Sequence, residues 1–225
     1  MFSTNTATLN ALDICPGDSE KVVIAGREVL KILDLRDSVK QMLNLRSGKL
    51  NIMWNHVKWS SSYSKQVLVT GATNGSIVVW NLAMASAQKI ERIITEHSRS
   101  VNKISLHPQE SYILLSASQD GTMKLWDLRT KSTARHTFDG KSEAVRDVSF
   151  SPMNSYEFAA AFENGNIQKW DLRNPAFYER KWSAHNGLAL AVDWHPYGRV
   201  LASGGRDRIL KVHNVTYTKV LGYKI

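Results

Sequence analysis

The feature that most constrains this chain is a pattern that returns about every 44 residues. Pro108, Pro152 and Pro196 mark it once per copy, and Trp80, Trp126 and Trp170 mark it again. A turn pair stands ahead of each tryptophan, as Asn74–Gly75, Asp120–Gly121 and Asn164–Gly165, and Asp207–Arg208 holds that place in a last copy. Self-similarity at a fixed period means one supersecondary unit copied along the chain, each copy burying its apolar side against the next. Inside a copy, short β-rich runs alternate with turn residues: YILLSAS over 112–118, QDGT over 119–122, MKLWDL over 123–128. Asp-Gly or Asn-Gly between two such runs is the strongest short-range hairpin signal. Helical patterns of ten or more residues are scarce, which disfavours alternating strands and helices.

Composition bounds the rest. The chain has 225 residues, 43% of them hydrophobic, enough to bury a core. No apolar run approaches the roughly 18 residues of a membrane helix. The start, MFSTNTATLN, is neither basic nor apolar, so a cytosolic or nuclear chain is expected. The one cysteine, Cys15, excludes an internal disulfide framework and a multi-cysteine zinc site, and is expected as a small buried or half-buried thiol. A net charge of +9 favours acidic partners. The basic residues are spread out, however, and alternate with acids between Arg27 and Lys40, so nucleic acid is not favoured.

The sequence offers little chemistry. There is no G-x-G-x-x-G, and Gly140–Lys141–Ser142 resembles the end of a phosphate loop but has Arg135 where the first glycine belongs. H-E-x-x-H is missing and the seven histidines are scattered. No catalytic residue, cofactor, metal or small-molecule substrate is expected. The default function is binding of partners on a rigid rim and its loops.

The Asp-Gly turn, the Trp-Asp dipeptide and the period together resemble WD40 repeats. The resemblance implies an all-β propeller with four antiparallel strands per blade. Five units fit residues 1–225, at 8–46, 54–96, 101–139, 144–183 and 189–225. Unit one has Leu33, and unit five His213, where the tryptophan belongs. The family pattern also implies a structural tetrad of His, Ser/Thr, Asp and Trp. Unit three offers His97, Ser116, Asp120 and Trp126, and unit five offers His185, Ser203 and Asp207. A Ser/His/Asp set also suits a hydrolase triad, but this one recurs with the repeat and lacks the G-x-S-x-G elbow. Propellers use about 4–8 blades. These repeats look built for a larger ring than five, which predicts an incomplete, open ring, completed either by downstream sequence or by strands from a partner through edge pairing. Val22, Val23 and Ile24 in unit one, and Leu190, Val192 and Leu201 in unit five, are then expected to be exposed.

A narrower resemblance rests on TEHSRSVNKISLHP, SQDGTMKLWDLR, FENGNIQKWDLR, AHNG and GGRD. Over roughly residues 20–213 the chain closely resembles the propeller part of the GATOR2 (SEA-type) subunit family. That implies a non-catalytic scaffold that supports TORC1 signalling in response to amino acids by opposing GATOR1. It also implies Sec13-like and Seh1-like partners and a cytoplasmic protein recruited, indirectly, to the lysosomal surface. The solenoid and the Cys/His-rich RING of that family have no counterpart in the sequence. A second resemblance competes. The boxes ending in Arg129 and Arg173 read W-D-x-R, as in substrate receptors of cullin-four ubiquitin ligases, whose arginine docks the adaptor. The alternative is that an arginine simply follows Trp-Asp on a solvated face. Trp182, in an outer strand, is either a partner-facing anchor or partly buried, and Trp194 is expected in the core between blades.

Overall fold

The computed structural model describes residues 8–36, 40–45, 52–60, 66–130, 134–141, 143–216 and 220–224. Among them are twenty strands and no helix. Sheet one is β1 (Leu9–Cys15), β2 (Asp18–Gly26), β3 (Val29–Asp34) and β4 (Lys40–Asn44). Sheet two is β5 (Trp54–Trp59), β6 (Val67–Ala72), β7 (Ile77–Asn81) and β8 (Ile90–Ile94). Sheet three is β9 (Val101–Leu106), β10 (Ile113–Ser118), β11 (Thr122–Asp127) and β12 (His136–Asp139). Sheet four is β13 (Val145–Phe150), β14 (Glu157–Phe162), β15 (Asn166–Asp171) and β16 (Arg180–Ser183). Sheet five is β17 (Ala189–Trp194), β18 (Val200–Gly205), β19 (Ile209–Asn214) and β20 (Val220–Lys224). Each is a four-stranded antiparallel meander in sequence order, and among the described strands no ladder joins one sheet to another. The all-β expectation of five four-stranded blades holds.

The turn chemistry fixes the central hairpins. Gly75, Gly121 and Gly165 all take a left-handed φ of 82–85°. Asn74 and Asp120 each receive the N–H two residues on, at 3.1 and 3.0 Å. A Cβ on Gly75 would stand 2.3 Å from the His97 carbonyl oxygen, so glycine is required there by space as well as by φ. Arg208 takes the same conformation, φ 62°, without being glycine. A left-handed non-glycine residue carries a cost of roughly 1 kcal/mol.

The chain divides into two units, Met1–Val101 and Asn102–Ile225. In the first, Val23, Ala25 and Ile32 of sheet one pack against Val57, Trp59, Leu68 and Trp80 of sheet two. In the second, Phe138 meets Phe158 edge-on at 4.9 Å, and Phe158 stacks on Trp170 at 6.1 Å. Further along, Ala159 and Ala161 accept Val192, Trp194 and Leu201. Trp194 is therefore core, as expected, at 7% exposed. Each fully buried large apolar side chain contributes roughly 1.5–3 kcal/mol. Cys15 is buried.

Polar latches on the innermost strands set the register between neighbouring sheets. In the first unit Asn10 Nδ2 donates to the Trp54 carbonyl at 3.0 Å, while Asp13 receives the Trp59 N–H at 2.7 Å and Lys58 Nζ at 3.0 Å. In the second, Asn102 Nδ2 donates to the Val145 carbonyl at 2.7 Å and Ser105 Oγ receives the Phe150 N–H at 3.2 Å. One junction on, Asp147 receives the Val192 N–H at 3.1 Å. Burial pushes the Asp147 carboxyl up, against the opposing pull of Lys103 and the N–H groups of Val192 and Val148.

The expected exposures need correction. Val23, Ile24, Val192 and Leu201 are buried and Val22 is half-buried; of the six only Leu190 is exposed. Leu12 and Ile14, on the same sheet as Val22, are exposed instead. Alternation accounts for Val23, which lies on the face opposite Leu12 and Ile14, because successive residues of a strand point to opposite faces; Ile24 shares the face of Leu12 and is buried all the same.

Candidate functional site

Two kinds of site emerge from the repeat: a buried polar array within the sheets, and an exposed Arg–Tyr pair at the loops.

The array starts from a tryptophan in the third strand. Its indole N–H is buried and must find an acceptor. In sheet two Trp80 Nε1 donates to Thr70 Oγ1 at 3.0 Å, and in sheet three Trp126 Nε1 donates to Ser116 Oγ at 2.8 Å. Asp120 receives the Thr122 N–H at 3.0 Å and its hydroxyl at 2.6 Å. His97 is buried and belongs to the first unit, whereas Ser116, Asp120 and Trp126 belong to the second.

Sheet four solves the problem differently. Ala160 occupies the serine position, and Trp170 Nε1 donates to Gln168 Oε1 at 3.1 Å. Gln168 Nε2 in turn donates to the Gly140 carbonyl at 2.9 Å. Gln168 is fully buried and was not singled out from the sequence. The available signal was Ala160 itself: an indole beside an alanine needs another acceptor on the same face, and Gln168 lies two residues away.

Sheet five brings His185, Ser203 and Asp207 together, with His213 in the tryptophan's place. His185 Nδ1 lies 3.0 Å from Asp207 Oδ1, His185 Nε2 lies 2.8 Å from Ser203 Oγ, and His213 Nε2 lies 2.7 Å from the same oxygen. Donor counting assigns the tautomers. His213 Nε2–H donates to Ser203, the Ser203 hydroxyl donates to His185 Nε2, and His185 Nδ1–H donates to Asp207. The His213 imidazole thus does the work of an indole N–H. Its other nitrogen, Nδ1, is buried and has no hydrogen-bond partner among the described residues.

Burial, with the neighbouring charges of His185 and Lys211, pushes His213 down to about 4. For Asp207, burial works upward, but the N–H of Asn186, His185 and the N–H of Ile209 outweigh it and hold the carboxyl below its usual range. The array has the residue types of a hydrolase triad, but Ser203 is 1% exposed and its oxygen is held between two imidazoles. No carbonyl substrate reaches it, so the array is a strut between strands.

The outer site starts from the arginine that follows Trp-Asp. Arg129 folds back on Asp127, with Nε to Oδ1 at 3.0 Å and Nη2 to Oδ2 at 2.7 Å, and its guanidinium lies 3.6 Å from the Tyr112 ring centroid. Arg173 repeats the geometry on Asp171, with Nε to Oδ1 at 2.9 Å, and lies 5.0 Å from the Tyr156 ring. Each arginine holds its aspartate below the usual carboxylate range. Both arginine side chains remain more than half exposed. Trp182 is half-buried, tilted against His213 at 5.8 Å, with Arg180 over its ring.

A cavity of about 330 Å³ lies between sheets four and five, lined among others by Met153, Lys169, Trp194, Arg199 and Val215. Lys169 is bound there to Glu157 at 3.0 Å and Glu179 at 2.8 Å. Met153, which lines it, is exposed, and so are Tyr156 and Tyr197 in the loops after the first strands of sheets four and five, Tyr197 at 86%. Exposed arginine and aromatic side chains are the residue types from which protein interfaces draw most of their energy. Among the described residues no His/Cys/Asp/Glu cluster suits a metal ion.

Five meanders with a recurring buried tryptophan array define a repeat protein of the propeller class. The model of the family "WD domain, G-beta repeat" matches residues 88–127, 132–171 and 178–214, and the chain belongs to that WD40 family. All three matched segments run from the outer strand of one sheet to the third strand of the next, so the sequence repeat is out of phase with the sheets. Similar relatives carry a more particular name. The chain is 46% identical over 225 residues to "GATOR2 complex protein WDR24" of Danio rerio, covering 98% of this chain and 28% of the relative. It is 46% identical to the protein of that name in Homo sapiens, covering 93% and 27%, and 45% identical to that of Dictyostelium discoideum, covering 95% and 22%. The chain thus spans about a quarter of the length of the curated relatives it matches. Among solved structures, a chain of the "Crystal Structure of Mitotic Checkpoint Complex" aligns with a TM-score of 0.77 and 22% identity, over 94% of this chain and 63% of that one, a likeness of fold alone.

Proposed function

We propose that this chain is a non-catalytic interaction scaffold of a GATOR2-type complex. In that role it supports TORC1 signalling in response to amino acids by opposing GATOR1, in the cytoplasm and at the lysosomal surface. The observation that carries the reading is the 46% identity to "GATOR2 complex protein WDR24" over nearly the whole chain. An identity of that order along five consecutive sheets, loops included, covers binding surface as well as core. The partners proposed are other propeller and solenoid subunits, Sec13-like and Seh1-like proteins among them. Membrane association is indirect, through the complex.

The test is affinity capture of the tagged chain from the cells that make it, with the co-purifying proteins identified by mass spectrometry. Sec13-like and Seh1-like propellers in near-stoichiometric amounts are the expected result. Recovery of a cullin-four adaptor in their place, lost on Arg129→Ala/Arg173→Ala, overturns the proposal.

A further inference from the structure

The cavity between sheets four and five owes its size and its charge to replacements at equivalent positions of the repeat. Val101, Ile113 and Thr122 open β9, β10 and β11, and Val145, Glu157 and Asn166 open β13, β14 and β15 at one constant offset. Each lining residue from sheet four therefore has a counterpart in sheet three, at the junction of sheets three and four. There the place is taken by large buried side chains. His107 is buried, with Nε2 3.0 Å from the Ser155 carbonyl oxygen and its ring edge-on to Phe150 at 5.1 Å. Ile113 and Leu125 are buried beside it in the sequence of strands. Sheet four has Ser151 for His107, Glu157 for Ile113 and Lys169 for Leu125, and Trp194 stands where Phe150 stood. Loss of the imidazole opens the space, and the other two changes line it with charge.

That charge is not explained by stability. Lys169 is 7% exposed, and packed aliphatic side chains in place of a buried ion cluster are often neutral or stabilising. Its ammonium is shared between Glu157 at 3.0 Å and Glu179 at 2.8 Å. Two carboxylates against one cation leave a negative charge over. Arg199, in the same lining, is exposed and makes no ion pair with either carboxylate. The Glu179 side chain is 53% exposed, so the surplus charge is open to a partner from outside.

We propose that this cavity receives the side chain of an arginine from a partner protein. The guanidinium takes the room that the His107 ring fills one junction earlier, faces Trp194 as that ring faces Phe150, and donates to Glu157 and Glu179. A guanidinium suits both walls, because it is planar, stacks on an indole and pairs with carboxylates through a fork of N–H donors. The methylene stem lies along Met153, which is 59% exposed. A volume of about 330 Å³ has room for one such side chain. The inference rests on the lining alone and does not depend on which complex the chain joins.

The probe is Nα-acetyl-arginine methylamide, an arginine side chain without charged termini, titrated at low salt into the chain carrying isotope-labelled tryptophan. Nuclear magnetic resonance should show a saturable shift of the Trp194 indole signal, assigned by its loss in Trp194→Phe. Nα-acetyl-glutamate methylamide should produce none. Ser151→His restores the ring of sheet three and should abolish the shift. Glu179→Gln, at a half-exposed side chain, should weaken binding about threefold, and it carries the test if circular dichroism shows that Ser151→His loses its fold. No saturable shift with the arginine probe, an equal response to the glutamate probe, or undiminished binding by folded Ser151→His or by Glu179→Gln would overturn the proposal.

Discussion

The His213 position makes a quantitative claim about acid stability. Its imidazole is buried and donates through Nε2 to Ser203, and burial moves its pKa from the ordinary 6.5 to about 4. Between those values the unfolded chain binds a proton here that the folded chain does not, so acid favours unfolding. The stabilisation is complete above about pH 6.5, is lost as pH falls, and is exhausted below about pH 4. Two such pKa values give a loss of about 2 kcal/mol between pH 7 and pH 5 from this one group. His213→Trp installs the residue that sheets two, three and four use, whose N–H keeps its proton at every pH in the window. Urea unfolding of both proteins at pH 7 and pH 5, followed by circular dichroism, isolates the array, because titrating residues that do not touch it cancel in the difference. The variant should lose about 2 kcal/mol less than the parent on going to pH 5. Equal losses would refute the assignment of His213 as a buried neutral donor.

Other expectations follow from the same geometry. Ser116→Ala strands the Trp126 indole N–H and should cost about 1–3 kcal/mol by urea unfolding, whereas Ser203→Ala strands two imidazoles and should cost more. Arg208→Gly relieves the left-handed φ of 62° and should raise stability by about 1 kcal/mol in the same assay. Gly140→Ala places a Cβ 2.4 Å from the Phe162 ring and should lower stability by about 1–3 kcal/mol, read as a fall in melting temperature.

The sheets were legible because their signals are local. Asn74–Gly75 and its equivalents set the central hairpins, and the tryptophans mark the third strands. The arrays were legible only where residue types were kept. His213 was recognised as a substitution, but that its ring nitrogen repeats the indole's hydrogen bond depends on a 2.7 Å contact that spacing does not give. Gln168 was missed because sheet four moves the acceptor from the second strand to the third. The latches were missed although Asn10 and Asn102 each stand second in the first strand of their sheet. They act between sheets, and a pattern sought within each unit passes over them. Strand parity separates the bared Leu12 and Ile14 from the buried Val23, and one residue's shift exchanges the faces.

The account's central claim is that each sheet is a separate meander held by its array and its neighbours, with sheets one and five each baring a face. Amide hydrogen exchange of the dilute, monomeric chain, resolved strand by strand, tests this most directly. The slowest exchange is expected in β10, β11, β14 and β15, flanked on the buried side by tryptophan arrays. Faster exchange is expected in β1 and β17, where Leu12, Ile14 and Leu190 face solvent. Uniform protection of all five sheets in a monomer would contradict the claim and indicate a closed ring.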